Sequence, residues 1–340
     1  MPKYIASKKT KYADIAKHAN VSVATVSRVM NHRELVSEDT VRQVYDAMRS
    51  LGCGPGRITG IGSRTRCVTV MVPFIGDSFY TEIIAGMKEA ARYFGYRLII
   101  TNDAITDATI DEQIKTMEQE NSTGYLLMSV ISKDALEKLT NFMPVVQCCE
   151  YNIEPNISYV AIDNKKSARE MTDYLIQSGR RDIVFLNVNN DYSICSRLRF
   201  EGFCEAMSAA GLPVIQDRVI QLPSFDYRLA LSELTRLLQS TESMPDCIFC
   251  TSDTFAAAAV KACIKNGLSV PNDIFVVGFD DIELSTMLTP SITTVRQPAF
   301  EIGYTGFKYL VELIEHPDTP VRKTLLDGQM IIRESTMLHR

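Results

Sequence analysis

Carboxylates, arginines and aromatic rings recur at one kind of position in this 340-residue chain, at or just beyond the ends of apolar runs. Phe74 closes the run CVTVMVPF, and Asp77 and Phe79 follow it. Glu150 and Tyr151 follow PVVQCC. Arg197 and Arg199 open the helix-like segment after DIVFLN. Ser252 and Asp253 follow DCIFCT, and Asp280 and Asp281 follow DIFVVGF. Such a set suits a polyhydroxylated ring: acids accept from vicinal hydroxyls, an arginine donates, and a phenyl face covers the C–H side of the ring. Each residue alone has a simpler reading, since an aspartate after a strand can cap the next helix, as Asp253 or Asp281 could. Convergence on one edge is what points to a ligand.

The elements that must position these groups alternate. Apolar strands are expected at CVTVMVPF, YRLIIT, GYLLMS, PVVQCC, YVAID, DIVFLN, DCIFCT and DIFVVGF. Helices are expected between them at 80–94, 109–121, 133–141, 165–177, 195–210, 227–239 and 254–266. Strand, helix, strand in this order means parallel pairing, and eight strands suggest two sheets, an α/β body of two lobes. Parallel sheets bind ligands beyond the carboxyl ends of their strands, where the polar set lies.

Other chemistries find little support. The nine cysteines (53, 67, 148, 149, 195, 204, 247, 250, 263) are odd in number and form no disulfide framework. Cys247 and Cys250 make a formal CxxC, but inside a strand-like run rather than at a helix start, so packing is the expected role. The four histidines (18, 32, 316, 339) share no metal-ligand spacing with the cysteines. No metal and no cofactor are expected. Five glycines crowd GCGPGRITGIGS, residues 52–63, yet they follow a helix and precede a strand, the reverse of a phosphate loop. An enzyme would need a nucleophile–base pair, a metal cluster or a phosphate loop, and none is evident. No apolar run approaches the roughly 18 residues of a membrane span. The start, MPKYIASKK, lacks the apolar stretch of a secretory signal, so a cytoplasmic location is expected. A transport-type sugar-binding protein would carry such a signal.

Charge divides the chain. Residues 1–66 carry twelve Lys/Arg and five Asp/Glu, a net +7, while the remainder carries 24 and 36, a net −12. A basic head on an acidic body suits a polyanion partner for the head. The head reads as three helices: about 12–19, then a break at Asn20-Val21-Ser22, then VATVSRVMN, and a third capped by Ser37. Asn20 tolerates the left-handed backbone of a tight turn, and Ser22 is a good N-cap. In the second helix Val26, Val29 and Met30 can face a core, leaving Val23, Ala24, Ser27, Arg28 and Asn31 outward. That face is small at its start and ends in an arginine, as a helix entering a major groove requires. Arg28 can donate two bonds to guanine, and Val23 and Ala24 can meet thymine methyls. Thr25, Ser27 and Asn31 are candidates for phosphate contacts.

Asp14-Ile15-Ala16, VSVATVSRVMN, Val36-Ser37, Thr40 and Leu51-Gly52 resemble the N-terminal domain of the LacI/GalR family of bacterial transcription regulators. SRLRFEGF (196–203), VVGFDDIELS (276–285), LTPSITTVRQP (288–298) and IIREST (331–336) resemble that family's effector domain, which is similar to periplasmic sugar-binding proteins. The resemblance covers nearly the whole chain. It implies a helix-turn-helix domain at 1–52, a hinge at 53–66, and a two-lobed effector-binding and dimerisation domain at 67–340. It implies an effector site in which Arg199 and Asp280 bind the ligand and Phe225 stacks on it. Ser252 stands where many members have Asn, and Phe79 lies in the segment matching Asn-Pro-Phe-Phe. Cys149 falls where sugar-binding relatives often have Asp, with Glu150 beside it.

In the family the hinge forms a short helix on operator DNA and inserts a leucine into the minor groove. Here Pro55 matches the hinge proline, but Gly62 takes the wedge position, with Ile58 and Ile61 the apolar residues nearby. Glycines 56, 60 and 62 would cost a helix roughly 3 kcal/mol relative to alanines. Either Ile61 wedges in a shifted register, or the linker stays flexible and the DNA is not strongly kinked; the second is the expectation. No leucine heptad follows IIREST, so the resemblance implies a homodimer rather than the tetramer of one branch. The chain is therefore expected to be a repressor of carbohydrate-utilisation genes that binds near-palindromic operator DNA and responds to a small sugar-like effector. The alternative is a sugar sensor whose glycine-rich hinge has weakened its sequence-specific grip on DNA.

Overall fold

The computed structural model describes residues 12–31, 36–37, 39–41, 43–44, 47, 66–189 and 193–338. Two compact units divide between Arg66 and Cys67.

In the first unit, helices α1 (Tyr12–His18) and α2 (Val23–Asn31) meet through a tight turn at Asn20, whose φ of 49° is left-handed. Asparagine fits there because its short polar side chain tolerates that region. The Ser22 hydroxyl accepts the Thr25 N–H at 3.0 Å, starting α2. Ser37 and Thr40 hydroxyls pair at 2.9 Å, and the described residues from 39 to 47 are helical. Ile15, Ala16, Ala19, Val26, Val29, Val41, Val44 and Ala47 close one small core.

The second unit holds two large sheets and a two-stranded one. Its strands are β1 (Arg66–Met71), β2 (Tyr96–Thr101), β3 (Ser122–Leu127), β4 (Val145–Cys148), β5 (Ser158–Ile162), β6 (Ile183–Val188), β7 (Val219–Leu222), β8 (Cys247–Cys250), β9 (Phe275–Val277), β10 (Thr294–Arg296), β11 (Lys323–Leu326) and β12 (Gln329–Ile331). Its helices are α3 (Ser78–Phe94), α4 (Ile110–Glu120), α5 (Lys133–Phe142), α6 (Asn164–Gln177), α7 (Ile194–Ala209), α8 (Tyr227–Ser240), α9 (Asp253–Lys265), α10 (Leu284–Met287) and α11 (Ala299–Glu315). One sheet has the order β11-β5-β4-β3-β1-β2, the other β7-β6-β8-β9, and β10 pairs with β12. Ladders β11–β5, β5–β4, β4–β3 and β3–β1, and all those of the second sheet, run parallel.

Strands of the second sheet are buried on both faces, as helix-covered parallel strands must be. Ile183 and Phe185 of β6 enter one core cluster, while Val184, Leu186 and Val188 enter another. The same alternation sends Cys247 and Cys250 to opposite faces of β8, so the two thiols do not meet, and burial pushes both well up.

The alternating pattern located eight strands and seven helices to within two residues at most ends. It did not reach α11, a helix built on Ile302, Phe307, Leu310 and Val311, nor the short strands β7, β10, β11 and β12. Helix α11 packs backbone to backbone on α3. A Cβ on Gly86 would sit 2.0 Å from the Phe300 carbonyl, and one on Gly303 would sit 1.9 Å from that of Ile83. The chain passes between lobes three times: between Ile162 and Asn164, between Arg296 and Ala299, and between Leu326 and Gln329.

Candidate functional site

Arg199 is the centre of the ligand-binding candidate. It lies one turn into α7, whose N-terminus follows the carboxyl end of β6, and it is 5% exposed. Its Nε donates to the Asn164 side-chain oxygen at 2.8 Å, and Nη1 donates to the Thr251 carbonyl at 2.6 Å. Its plane lies 3.7 Å over the Phe279 ring, and Nη2 stands 3.7 Å from Asp280. Packing thus fixes the guanidinium while leaving donor capacity on the Asp280 side.

Asp280 is held as firmly. Gln297 donates to Oδ1 at 2.6 Å, and the Asp280 N–H donates to the Val295 carbonyl. Burial pushes its carboxyl up to about 7, against the pull of Arg199, with Asp77 adding to the rise. Asp280 and Asp281 both have left-handed φ, 107° and 57°. Such backbone costs non-glycine residues about 1–3 kcal/mol each and persists only where surroundings fix it. Asp281 is fixed by Arg296 and Arg333, each at 2.6 Å. Asn164 and Gln297, which grip Arg199 and Asp280, both lie in crossings between the lobes.

The facing wall comes from the other lobe. Asp77 caps α3 by accepting the Phe79 N–H at 2.9 Å, and burial raises its carboxyl. Phe79 and Asp280 line a common cavity of about 600 Å³, with Gln297 and Phe300. Glu150, beyond β4, reaches the first turn of α7, accepting from the Ser193 hydroxyl and, at 2.9 Å, from the Ile194 N–H. A carboxylate at a helix N-terminus is well placed, and here it joins the two lobes. Burial still raises Glu150, partly offset by Ser193 and Arg199. Tyr80 had no place in the expected set. Its hydroxyl is pushed well up by burial, with Cys149, Glu150, Asp77 and Cys195 close by, and it makes no hydrogen bond among the described residues. The signal for it was its place in the first turn of α3, beside Phe79.

The DNA-reading candidate is α2. Val26 and Val29 are buried, whereas Val23 is 50% exposed and Ala24 and Arg28 are exposed. The Thr25 hydroxyl pairs with Ser22 at 2.8 Å.

Residues 12–55 match the lacI family of bacterial regulatory proteins, and residues 172–336 match a periplasmic binding protein-like domain. The HTH-type transcriptional regulator RegA of Clostridium saccharobutylicum is 29% identical over 96% of this chain and 99% of its own. The ribose operon repressor of Halalkalibacterium halodurans is 30% identical over 96% of this chain and 97% of its own. The chain belongs to the LacI family of bacterial regulators. Among solved structures, the transcriptional regulator CelR–cellobiose complex superposes with a TM-score of 0.73 at 27% identity, covering 95% of this chain and 99% of that one. A helix-turn-helix head and a periplasmic-binding-protein-like body with parallel sheets are the LacI architecture described above.

Within that family frame the expected site residues separate. Phe79, Asp280 and Gln297 line the cleft; Arg199, held by Asn164, stands against Asp280, and Asp77 and Tyr80 lie nearby. Glu150 borders it, with both oxygens engaged at α7. Asp253 requires correction: expected to face a ligand, it is fully buried, and its oxygens are taken by Ile282 and Thr294. Ser252 caps α9, its hydroxyl accepting the Phe255 N–H at 3.2 Å. Phe225, beyond β7, is half-buried and stacks on Phe255 at 5.5 Å. Phe74 is 46% exposed. Asn31 ends α2, but its side chain lies outside the described residues, as do the hinge residues Pro55, Ile58, Ile61 and Gly62.

Proposed function

We propose that this LacI-family chain is a repressor that binds near-palindromic operator DNA as a homodimer, and that a small sugar-like effector in the cleft changes its affinity for DNA. Residues 1–52 would read the operator, with Arg28 donating to a guanine edge and Val23 and Ala24 meeting neighbouring bases. Residues 53–66 would link that head to the body. In the cleft, Arg199 and Asp280 would bind vicinal hydroxyls, Phe79 and Phe225 would cover C–H faces, and the free Tyr80 hydroxyl would reach the ligand.

One observation carries the reading. The two groups best suited to a sugar, Arg199 and Asp280, are gripped by Asn164 and Gln297, which lie in the crossings between the lobes. A ligand that pulls on the first pair therefore acts on the segments about which the lobes would turn, the coupling that effector control of DNA binding needs. Its similarity to a ribose operon repressor and to a regulator solved with cellobiose supports a sugar-like effector.

The test is a calorimetric titration of the full-length protein with D-ribose, D-glucose and cellobiose, beside Arg199→Ala. A sugar should bind the parent protein, and the variant should lose at least tenfold in affinity. Equal binding by both proteins, or binding of none of these sugars, would set the reading aside.

A further inference from the structure

Something must hold the unusual turn that carries Asp280, and the structure shows what does. Asp253, the first residue of α9, is fully buried directly behind it. Its Oδ2 accepts the Ile282 N–H at 2.9 Å, and its Oδ1 accepts the Thr294 hydroxyl at 2.6 Å. Its own N–H donates to the Phe279 carbonyl at 2.8 Å. Contact extends to Gly278, where a Cβ would lie 2.2 Å from Asp253 Oδ1. Residues 279 and 282 are thus tied to one buried residue, and Asp280 and Asp281 span the interval between them.

We infer that Asp253 is a positioning residue for ligand recognition: it straps the Phe279–Ile282 turn so that Asp280 stays against Arg199 and Gln297, while touching no ligand itself. This rests on the reading of Asp280 as a ligand-binding group. It also explains why an acid stands at a site with no opening to solvent. A buried carboxyl is costly unless its oxygens are satisfied, and here both are, by the turn and by β10.

Two substitutions separate the strap from the ionisable group. Asp253→Asn keeps an oxygen for the Ile282 N–H, and its amide can donate to the Thr294 hydroxyl. Asp253→Leu has similar bulk and keeps neither bond. Neither replacement can ionise, so a difference between them reports the strap alone. The readout is the titration of the Asp280 carboxyl, followed by carbon-13 NMR in the full-length, ligand-free protein and assigned with Asp280→Asn. The charged or titratable groups facing it are Arg199 and Asp77, with Asp253 behind. In the Asn variant Asp280 should titrate at a pH well above that of an ordinary carboxylate, as in the parent. In the Leu variant it should fall towards the ordinary range as the turn swings into solvent.

Equal behaviour of the two variants would overturn the proposal. If the Leu variant does not fold, Thr294→Val serves instead, because it frees one Asp253 oxygen. Its Asp280 should shift in the same direction by less, and an unmoved Asp280 would again overturn the strap. Sugar titration separates the other failure. If D-ribose, D-glucose or cellobiose binds the parent and Asp280→Asn equally well, the ligand role of Asp280 falls, and with it the recognition role of Asp253, whatever the NMR shows.

Discussion

At the scale of single residues, the cleft sets one carboxyl against its surroundings in a way that can be read from stability. Burial raises Asp280 to about 7 in the folded chain, whereas in the unfolded chain it titrates near 4. Between those values the unfolded chain has released a proton that the native state still holds. Stability contributed by the protonated group is therefore lost as pH rises from about 4 to about 7. Asp280→Asn can still accept the Gln297 hydrogen bond but has no proton to lose. Its melting temperature should exceed that of the parent by more at pH 8 than at pH 4.5, in thermal scans of ligand-free protein; a pH-independent difference would contradict the burial described here. Residue types and strand-end positions alone made Asp77, Phe79, Arg199 and Asp280 legible. Asp253 was misread because sequence places a residue after a strand but does not say which way it points. Asp253 turns inward to its straps, and Tyr80, which no strand-end pattern marks, stands near Asp77 and Glu150.

Elements show a similar division. Long apolar runs announced the central strands because a parallel strand buried on both faces has little polar content. Edge strands such as VIQL at 219–222 and KTLL at 323–326 carry weaker patterns, since half their surface is wet. Helix α11 was missed although its apolar spacing is clear. Its glycines dilute the pattern, and their purpose appears only in three dimensions, where α3 and α11 approach until Gly86 and Gly303 touch the opposing backbone. That contact gives a direct expectation. A methyl at Gly86 meets only backbone, the Phe300 carbonyl and the Tyr304 nitrogen, so Gly86→Ala must push the helices apart at a cost of about 1–3 kcal/mol or more. The loss should appear as a lower denaturant midpoint, with Gly76→Ala, which meets no atom within 4 Å, as the control. Equal midpoints for both variants would mean the helices are not so closely packed.

For the whole molecule, sequence and structure agree on two units, dividing between Arg66 and Cys67. A small basic head presents Val23, Ala24 and Arg28 on an exposed helix face, and an acidic two-lobed body holds a cleft against its own crossings. Family membership joins the two parts into a regulator. The stretch proposed as the linker, residues 53–66, carries glycine at 56, 60 and 62, so how firmly the head grips its site is the quantity to measure. The most direct test is selection of duplex DNA from a random pool by the full-length protein at physiological salt, run beside Arg28→Ala. The parent protein should enrich a two-fold symmetric site. The variant should lose about tenfold to a hundredfold in affinity for that site, with relaxed preference at one guanine in each half. Binding that is merely salt-sensitive, with no sequence enriched and no effect of Arg28→Ala beyond one lost charge, would contradict the proposed function.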